Sequence, residues 1–216
     1  MSDKPSFTAM PLWAELIITY PFTRHLQRYE YVSRRGWVIG KTVLDVGCGN
    51  GQGSYILAIT AKEVLGIDPI LAPYMNAEKP IPFLVQAVHT CNYKGVVTLA
   101  ALNVMNVNSK SNVAVCIEVF EHQPEVSQFV TKLAEICDYL FITTPLAATT
   151  GKTRNMDHIA EYSTEDFTAA LSKHFDILEL VYQTGDMRIQ NYGTYTGDSF
   201  DEWHTVQMVW CRNKKI

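Results

Sequence analysis

The residues of this chain best placed to do chemistry lie in the stretch "TVLDVGCGNGQGS", where Asp45 precedes Gly47, Gly49 and Gly51 at alternate positions directly after an apolar run. Glycine turns behind a strand let backbone approach a ligand closely, because no Cβ stands in the way. Three ligand chemistries use such turns. A nucleoside-triphosphate loop needs G-x-x-x-x-G-K-[ST]. The two "GKT" tripeptides, at Gly40 and Gly151, have Arg35 and Leu146 where the upstream glycine would stand, so this chemistry is excluded. A dinucleotide turn, G-x-G-x-x-G, wants a third glycine where the helix packs on the strand. That position is Gln52 or Ser54, depending on where the count begins, which weakens an NAD(P) site without removing it. The remaining pattern is an acid followed by G-x-G-x-G.

For such a turn to work, elements must hold it at the end of a sheet. "KTVLDVG", "EVLGID", "VVTLAAL", "NVAVCIEVF", "YLFITTP", "DILELVYQ" and "HTVQMVWCR" read as seven strands, most of them continuously apolar. Strands of that kind are buried on both faces and belong to parallel sheets. Helices are expected at "SYILAITA", opened by Ser54 as N-cap, and at "PEVSQFVTKLAEICD", with Pro124 in its first turn. A third is expected at "STEDFTAALSKHF", capped by Ser163 or Thr164. The fold class is therefore α/β: a Rossmann-like, doubly wound, seven-stranded sheet, mostly parallel with one antiparallel edge strand and helices on both faces. Residues 1–216 are expected to form one domain, with an N-terminal helical lid over 1–38 and a substrate loop over 184–202. The proline-rich "IDPILAPYMNAEKPIPF" is expected to be irregular.

Composition narrows the partners. A net charge of −4 and an acidic isoelectric point offer no global field for nucleic acid or anionic lipid. The cluster Arg24, Arg28, Arg34 and Arg35 reads first as helix surface. Five dispersed cysteines (Cys48, Cys91, Cys116, Cys137, Cys211) without C-x-x-C fit neither a disulfide framework nor a zinc site. With no signal-peptide pattern and no membrane-length apolar run, a cytoplasmic protein is expected.

The nine residues "VLDVGCGNG" resemble the first motif of class I S-adenosylmethionine (SAM) methyltransferases, and "CIEVFEHQPEV" with "RYEYVSRRGWVIGKTVLDVGCG" resembles the methyltransferase type 11 group and the ubiquinone-pathway O-methyltransferases. The resemblance implies SAM as cofactor, S-adenosylhomocysteine (SAH) as product, and a cofactor pocket built from Arg28, Asp45, Gly47, Cys48, Gly49, Gly51, Asp68, Pro69, Asn103, Val104 and Glu118. Asp45 would orient the turn and accept from the methionine ammonium, directly or through water. Asp68, 21 residues beyond Gly47 at the end of the second strand, suits the two ribose hydroxyls. Asn103 stands where the family usually has the aspartate that meets adenine. Glu118 would border the sulfonium, and Arg28 would bind the cofactor carboxylate.

With SAM bound, alignment and desolvation of the acceptor supply most of the acceleration. A base is needed only for a weakly acidic hydroxyl or a protonated amine. His122, closing the fourth strand, and His158, beyond the fifth, are the candidates, with Glu121, Asp157 and Tyr162 as further polar groups. No H-x-x-x-H, H-E-x-x-H or clustered carboxylates appear, so no metal is expected. "EVFE" stands where DNA amino-methyltransferases carry "(D/N)PP(Y/F)", which counsels against a DNA base. The expected reaction is methylation of an oxygen or nitrogen of a small-molecule or sugar-like acceptor. An NAD(P)-dependent oxidoreductase and a non-catalytic partner subunit are the alternatives. Oligomeric state is not legible.

Overall fold

A computed structural model of the chain describes residues 23–69, 95–151, 153, 155–185, 189–191 and 205–216. The sheet is built from the continuous apolar strands. β1 (Thr42–Val46) is buried along nearly its whole length and pairs in parallel with β2 (Glu63–Ile67) on one side and β4 (Ser111–Cys116) on the other. β3 (Val96–Ala100) adds in parallel to β2, and β5 (Cys137–Pro145) in parallel to β4.

All seven expected strands form, but the sheet has eight, in the order β3-β2-β1-β4-β5-β8-β6-β7. The extra one, β7 (Ile189–Asn191), comes from the segment expected to be wholly loop. It pairs antiparallel with β6 (Phe175–Gln183) and supplies the antiparallel edge. β8 (Val206–Asn213) is a second reversed strand and lies inside the sheet, antiparallel to both β5 and β6. Its burial explains its sequence: six consecutive buried residues from Val206 to Cys211 suit a strand covered on both faces.

Helices cover both faces, each over its own apolar cluster. α1 (Thr23–Arg34) and α2 (Gln52–Leu57) lie over Val43, Val64, Val115 and Phe141 through Tyr29, Val32, Leu57 and Ala58. α3 (Val126–Ile136) and α4 (Thr164–Ser172) cover the other face through Phe129, Leu133, Phe167 and Leu171. α4 begins as expected, with Ser163 Oγ accepting from the Asp166 N–H at 3.2 Å and two acids in the first turn. α2 does not. Gly51, in a left-handed conformation, occupies its N-cap, and Ser54 sits inside the helix, where its hydroxyl is drawn to Asp45 instead.

The proline-rich stretch from residue 70 onward, residues 1–22 of the expected lid, and 186–188 and 192–204 of the expected substrate loop lie outside the described residues. Among the described residues no helix is long and apolar enough to cross a membrane.

Candidate functional site

At the carboxyl end of β1 the chain turns through three glycines with φ of 71°, 54° and 85° (Gly47, Gly49, Gly51), a region that L side chains rarely enter. The turn is tied to the end of β2. Gly47 and Cys48 donate to the Ile67 carbonyl at 2.9 and 3.2 Å, and Gly49 donates to Asp68 Oδ2 at 2.9 Å. The three glycines serve different ends. A Cβ on Gly47 would stand 2.3 Å from Val119 Cγ2, and one on Gly51 would stand 2.6 Å from Leu99 Cδ1. Those two positions are empty because the protein packs into them. Around Gly49 no described atom comes within 4 Å of where a Cβ would be, so Gly49 is the glycine that presents backbone to open space.

Asp45 lies beneath the turn, fully buried. Its Oδ1 accepts from the Tyr29 hydroxyl at 2.9 Å and its Oδ2 from Ser54 at 2.6 Å. Burial raises its carboxyl to about 7 against the pull of those two donors. The geometry supports the orienting role of Asp45. Both carboxylate oxygens take part in locking α1 and α2 to β1. Tyr29, which no spacing in the sequence singled out, completes this lock, and its ring fills the space beside Gly53.

Asp68 is partly exposed and Pro69 exposed, both beside the turn, while Cys48 is buried in it. Asn103 is exposed. It caps the short 3₁₀ turn Val104–Asn106 by accepting from the Met105 N–H at 2.9 Å, which leaves its amide nitrogen as the donor for a neighbour. Val104 is buried beneath it. Glu118, just past β4, holds φ at 55°, the one non-glycine residue with positive φ among those described. Its N–H donates to Thr143 Oγ1 at 3.1 Å, and that hydroxyl donates back to Glu118 Oε1 at 2.9 Å. A left-handed glutamate costs about 1–3 kcal/mol, and these two bonds hold it there.

Arg28 is 2% exposed, and burial pulls its guanidinium down against the attraction of Glu118 and Glu121. Its Nε donates to Gln183 Oε1 at 2.7 Å. Its Nη1 lies 3.4 Å from Glu118 Oε1 and makes no hydrogen bond among the described residues.

Arg28 and Glu118 form one wall of a cavity of about 460 Å³ that continues past Glu121, His122 and His158. Glu121 and His122 lie on the 3₁₀ turn Phe120–His122 after β4. The chain beyond β5 is stitched to that turn, because Ile159 and Ala160 both donate to the Glu121 carbonyl, at 2.9 and 3.3 Å. The stitch brings the two histidines, expected as separate candidates, to 5.0 Å between ring centroids at an interplanar angle of 82°. His122 Nδ1 meets the Asp157 carbonyl at 2.8 Å, and His158 Nδ1 meets Glu161 Oε1 at 2.9 Å. Glu121 is fully buried. Its Oε2 accepts from Thr144 at 3.1 Å, its Oε1 has no hydrogen-bond partner, and burial, then Glu118, holds the carboxyl well above the usual range. No sequence signal marked Thr144, Glu161 or Gln183, which act through the tertiary fold. The described cysteines are buried and unlinked; burial pushes Cys137 up to about 12, so none supplies a thiolate near neutrality.

With this geometry in hand, the comparisons with known proteins agree among themselves. A family profile described as a methyltransferase domain matches residues 24–183. The ubiquinone biosynthesis O-methyltransferase of Pseudomonas putida is 32% identical over 103 residues, which is 48% of this chain and 42% of that protein. The corresponding enzyme of Paraburkholderia phymatum is 33% identical over 115 residues, 52% of this chain and 45% of its own length. The chain thus spans less than half the length of these curated relatives. In fold it resembles the N-methyltransferase NodS of Bradyrhizobium japonicum WM9, solved in complex with SAH (TM-score 0.61, 16% identity, 96% of this chain and 94% of that one). The match to a methyltransferase domain over most of the chain, laid on a sheet of this order, places the protein in the methyltransferase-domain family.

Proposed function

We propose that the protein is a SAM-dependent methyltransferase that methylates an oxygen or nitrogen of a small-molecule or sugar-like acceptor. The observation that carries this is the glycine turn: Gly49 turned to open space, tied through its N–H to Asp68, and set on an acid-locked base. When bound, SAM supplies an electrophilic methyl group on a sulfonium that departs as a neutral thioether. The residues present fit such a ligand. Arg28 Nη1 is a buried cation edge lacking a hydrogen bond, the requirement of a carboxylate partner. Asp68 is the acceptor for ribose hydroxyls, and the Asn103 amide is the donor for adenine. Cys48, Pro69 and Val104 supply the walls, and Glu118 puts a negative charge at the edge of the acceptor cavity. His122 and His158 carry the polar chemistry of the acceptor side. The curated relatives favour oxygen as the methylated atom.

Calorimetric titration with SAM and SAH tests this, with saturable binding of both at one equivalent expected. Asp68→Ala should weaken SAH by about 10–100-fold, the range for a lost hydrogen bond to a charged group. Binding of NAD(H) with none of SAM or SAH would overturn the proposal in favour of an oxidoreductase.

A further inference from the structure

We propose that Gln183 is a positioning residue for the carboxylate of the cofactor: it anchors the Arg28 guanidinium clear of Glu118, so that Nη1 stands ready for a carboxylate ligand. The inference rests on the methyltransferase reading, in which Arg28 meets the amino-acid end of SAM. It adds a residue that lies 155 positions from Arg28 and that no spacing in the sequence joins to it.

The connection runs through one buried amide. Gln183 closes β6 and is 1% exposed, and Arg28 on α1 is 2% exposed. Gln183 Oε1 accepts from Arg28 Nε at 2.7 Å, while its Nε2 donates to Gln27 Oε1 at 3.0 Å and to the Arg24 carbonyl at 3.5 Å. An arginine only donates and a backbone carbonyl only accepts, so the amide fits one way round. Two residues further on, the Gly185 carbonyl accepts from Arg24 Nη2 at 2.7 Å. The end of β6 therefore grips two arginines that are one helical turn apart on α1, and both line the acceptor cavity.

The effect of this grip falls on Nη1. Glu118 Oε1 stands 3.4 Å away, past the usual hydrogen-bond range of about 2.7–3.2 Å. Nη1 is buried and makes no hydrogen bond among the described residues, a costly state for a charged donor. A guanidinium free to turn beside a carboxylate closes into a two-bond pair, and that pair would consume the donor. Here neither side turns freely. Gln183 fixes Nε and with it the plane of the planar fork, and Thr143 bonds both the N–H and Oε1 of Glu118. A cationic edge held open in this way is preorganised for a carboxylate, which spares a ligand the cost of ordering it.

The test titrates the full chain by calorimetry with SAH and with methylthioadenosine, which keeps the nucleoside and the sulfur but lacks the carboxylate. Neither Gln183→Met nor Gln183→Asn offers an oxygen at the reach of Arg28 Nε. Each should weaken SAH by about 10–100-fold, the range for a lost hydrogen bond to a charged group, and leave methylthioadenosine within about 2-fold. One substitution keeps the length and the other keeps the amide, so a folding failure in one leaves the other to decide. Gln183→Glu retains the acceptor oxygen and should retain the preference for SAH. Arg28→Met should abolish that preference, and adding Gln183→Met to it should cost no more than about 2-fold further, the mark of two residues acting as one. Equal weakening of both ligands, unchanged SAH affinity in a folded Gln183→Met, or full additivity with Arg28→Met overturns the positioning role while the methyltransferase reading stands. Failure of the unaltered chain to bind SAM or SAH overturns the methyltransferase reading and the positioning role with it.

Discussion

At the scale of single residues, the chain places its charged groups under tension. Asp45 is the clearest case: a carboxyl with no exposure, held by two hydroxyl donors and raised to about 7. Its unfolded value is about 3.9, so the folded state holds this proton more tightly than the unfolded one. The stabilisation from that proton is complete below about pH 3.9 and is lost as pH rises to about 7. The difference in unfolding free energy between the unaltered protein and Asp45→Asn should therefore shrink between pH 4 and 7 and stay flat above. Urea unfolding at stepped pH measures it, and a difference that grows across that window would refute the assignment. The acid before the glycine turn was legible here from the sequence. The partners were not. Tyr29 and Ser54 reach Asp45 from different helices, and nothing in local spacing announces a contact set by how α1 crosses the sheet.

At the scale of elements, the strands were read correctly because burial on both faces writes a continuous apolar run into the sequence. The start of α2 was misjudged because Gly51 does without a side-chain cap. Ser54, the best capping residue nearby, is committed to Asp45. The glycine turn itself was legible, but its division of labour was not. Gly47 and Gly51 serve the contact with Val119 and Leu99, and of the three Gly49 faces open space. Gly47→Ala combines a left-handed φ that L side chains rarely adopt with a 2.3 Å collision. We expect a loss of at least about 1–3 kcal/mol in stability, seen as a lowered melting temperature, together with loss of SAH binding in calorimetry. The edge strand β7 escaped notice because three residues within a polar loop carry no periodicity.

At the scale of the whole molecule, β8 joins the parallel half of the sheet to its antiparallel end. Trp210 on β8 stacks on Trp37 (4.2 Å, 4°) and lies parallel to Tyr139 of β5 (5.5 Å, 6°). One pile of rings therefore ties the segment before β1 to β5 and to the end of the described sequence. Trp210→Ala should cost about 3–5 kcal/mol, the range for emptying a large aromatic site in a core. Urea unfolding checks this; a loss under 1 kcal/mol would mean the pile is ornamental. Topology of this kind was only partly legible. An antiparallel edge was expected from two strands without a helix between them, but which strand goes inside depends on long-range pairing.

That insertion also sets an order of events. β5 and β6 are neighbours of β8 and not of each other, so both wait with open edges until the strand that follows them in sequence arrives. Thr205 and Val206, at the entry of β8, also line the cavity that holds Glu121 and the two histidines. The wall of that pocket formed by Thr205 and Val206 is therefore in place only once β8 has entered the sheet. A chain interrupted before that step would expose two aggregation-prone edges and a half-built site together.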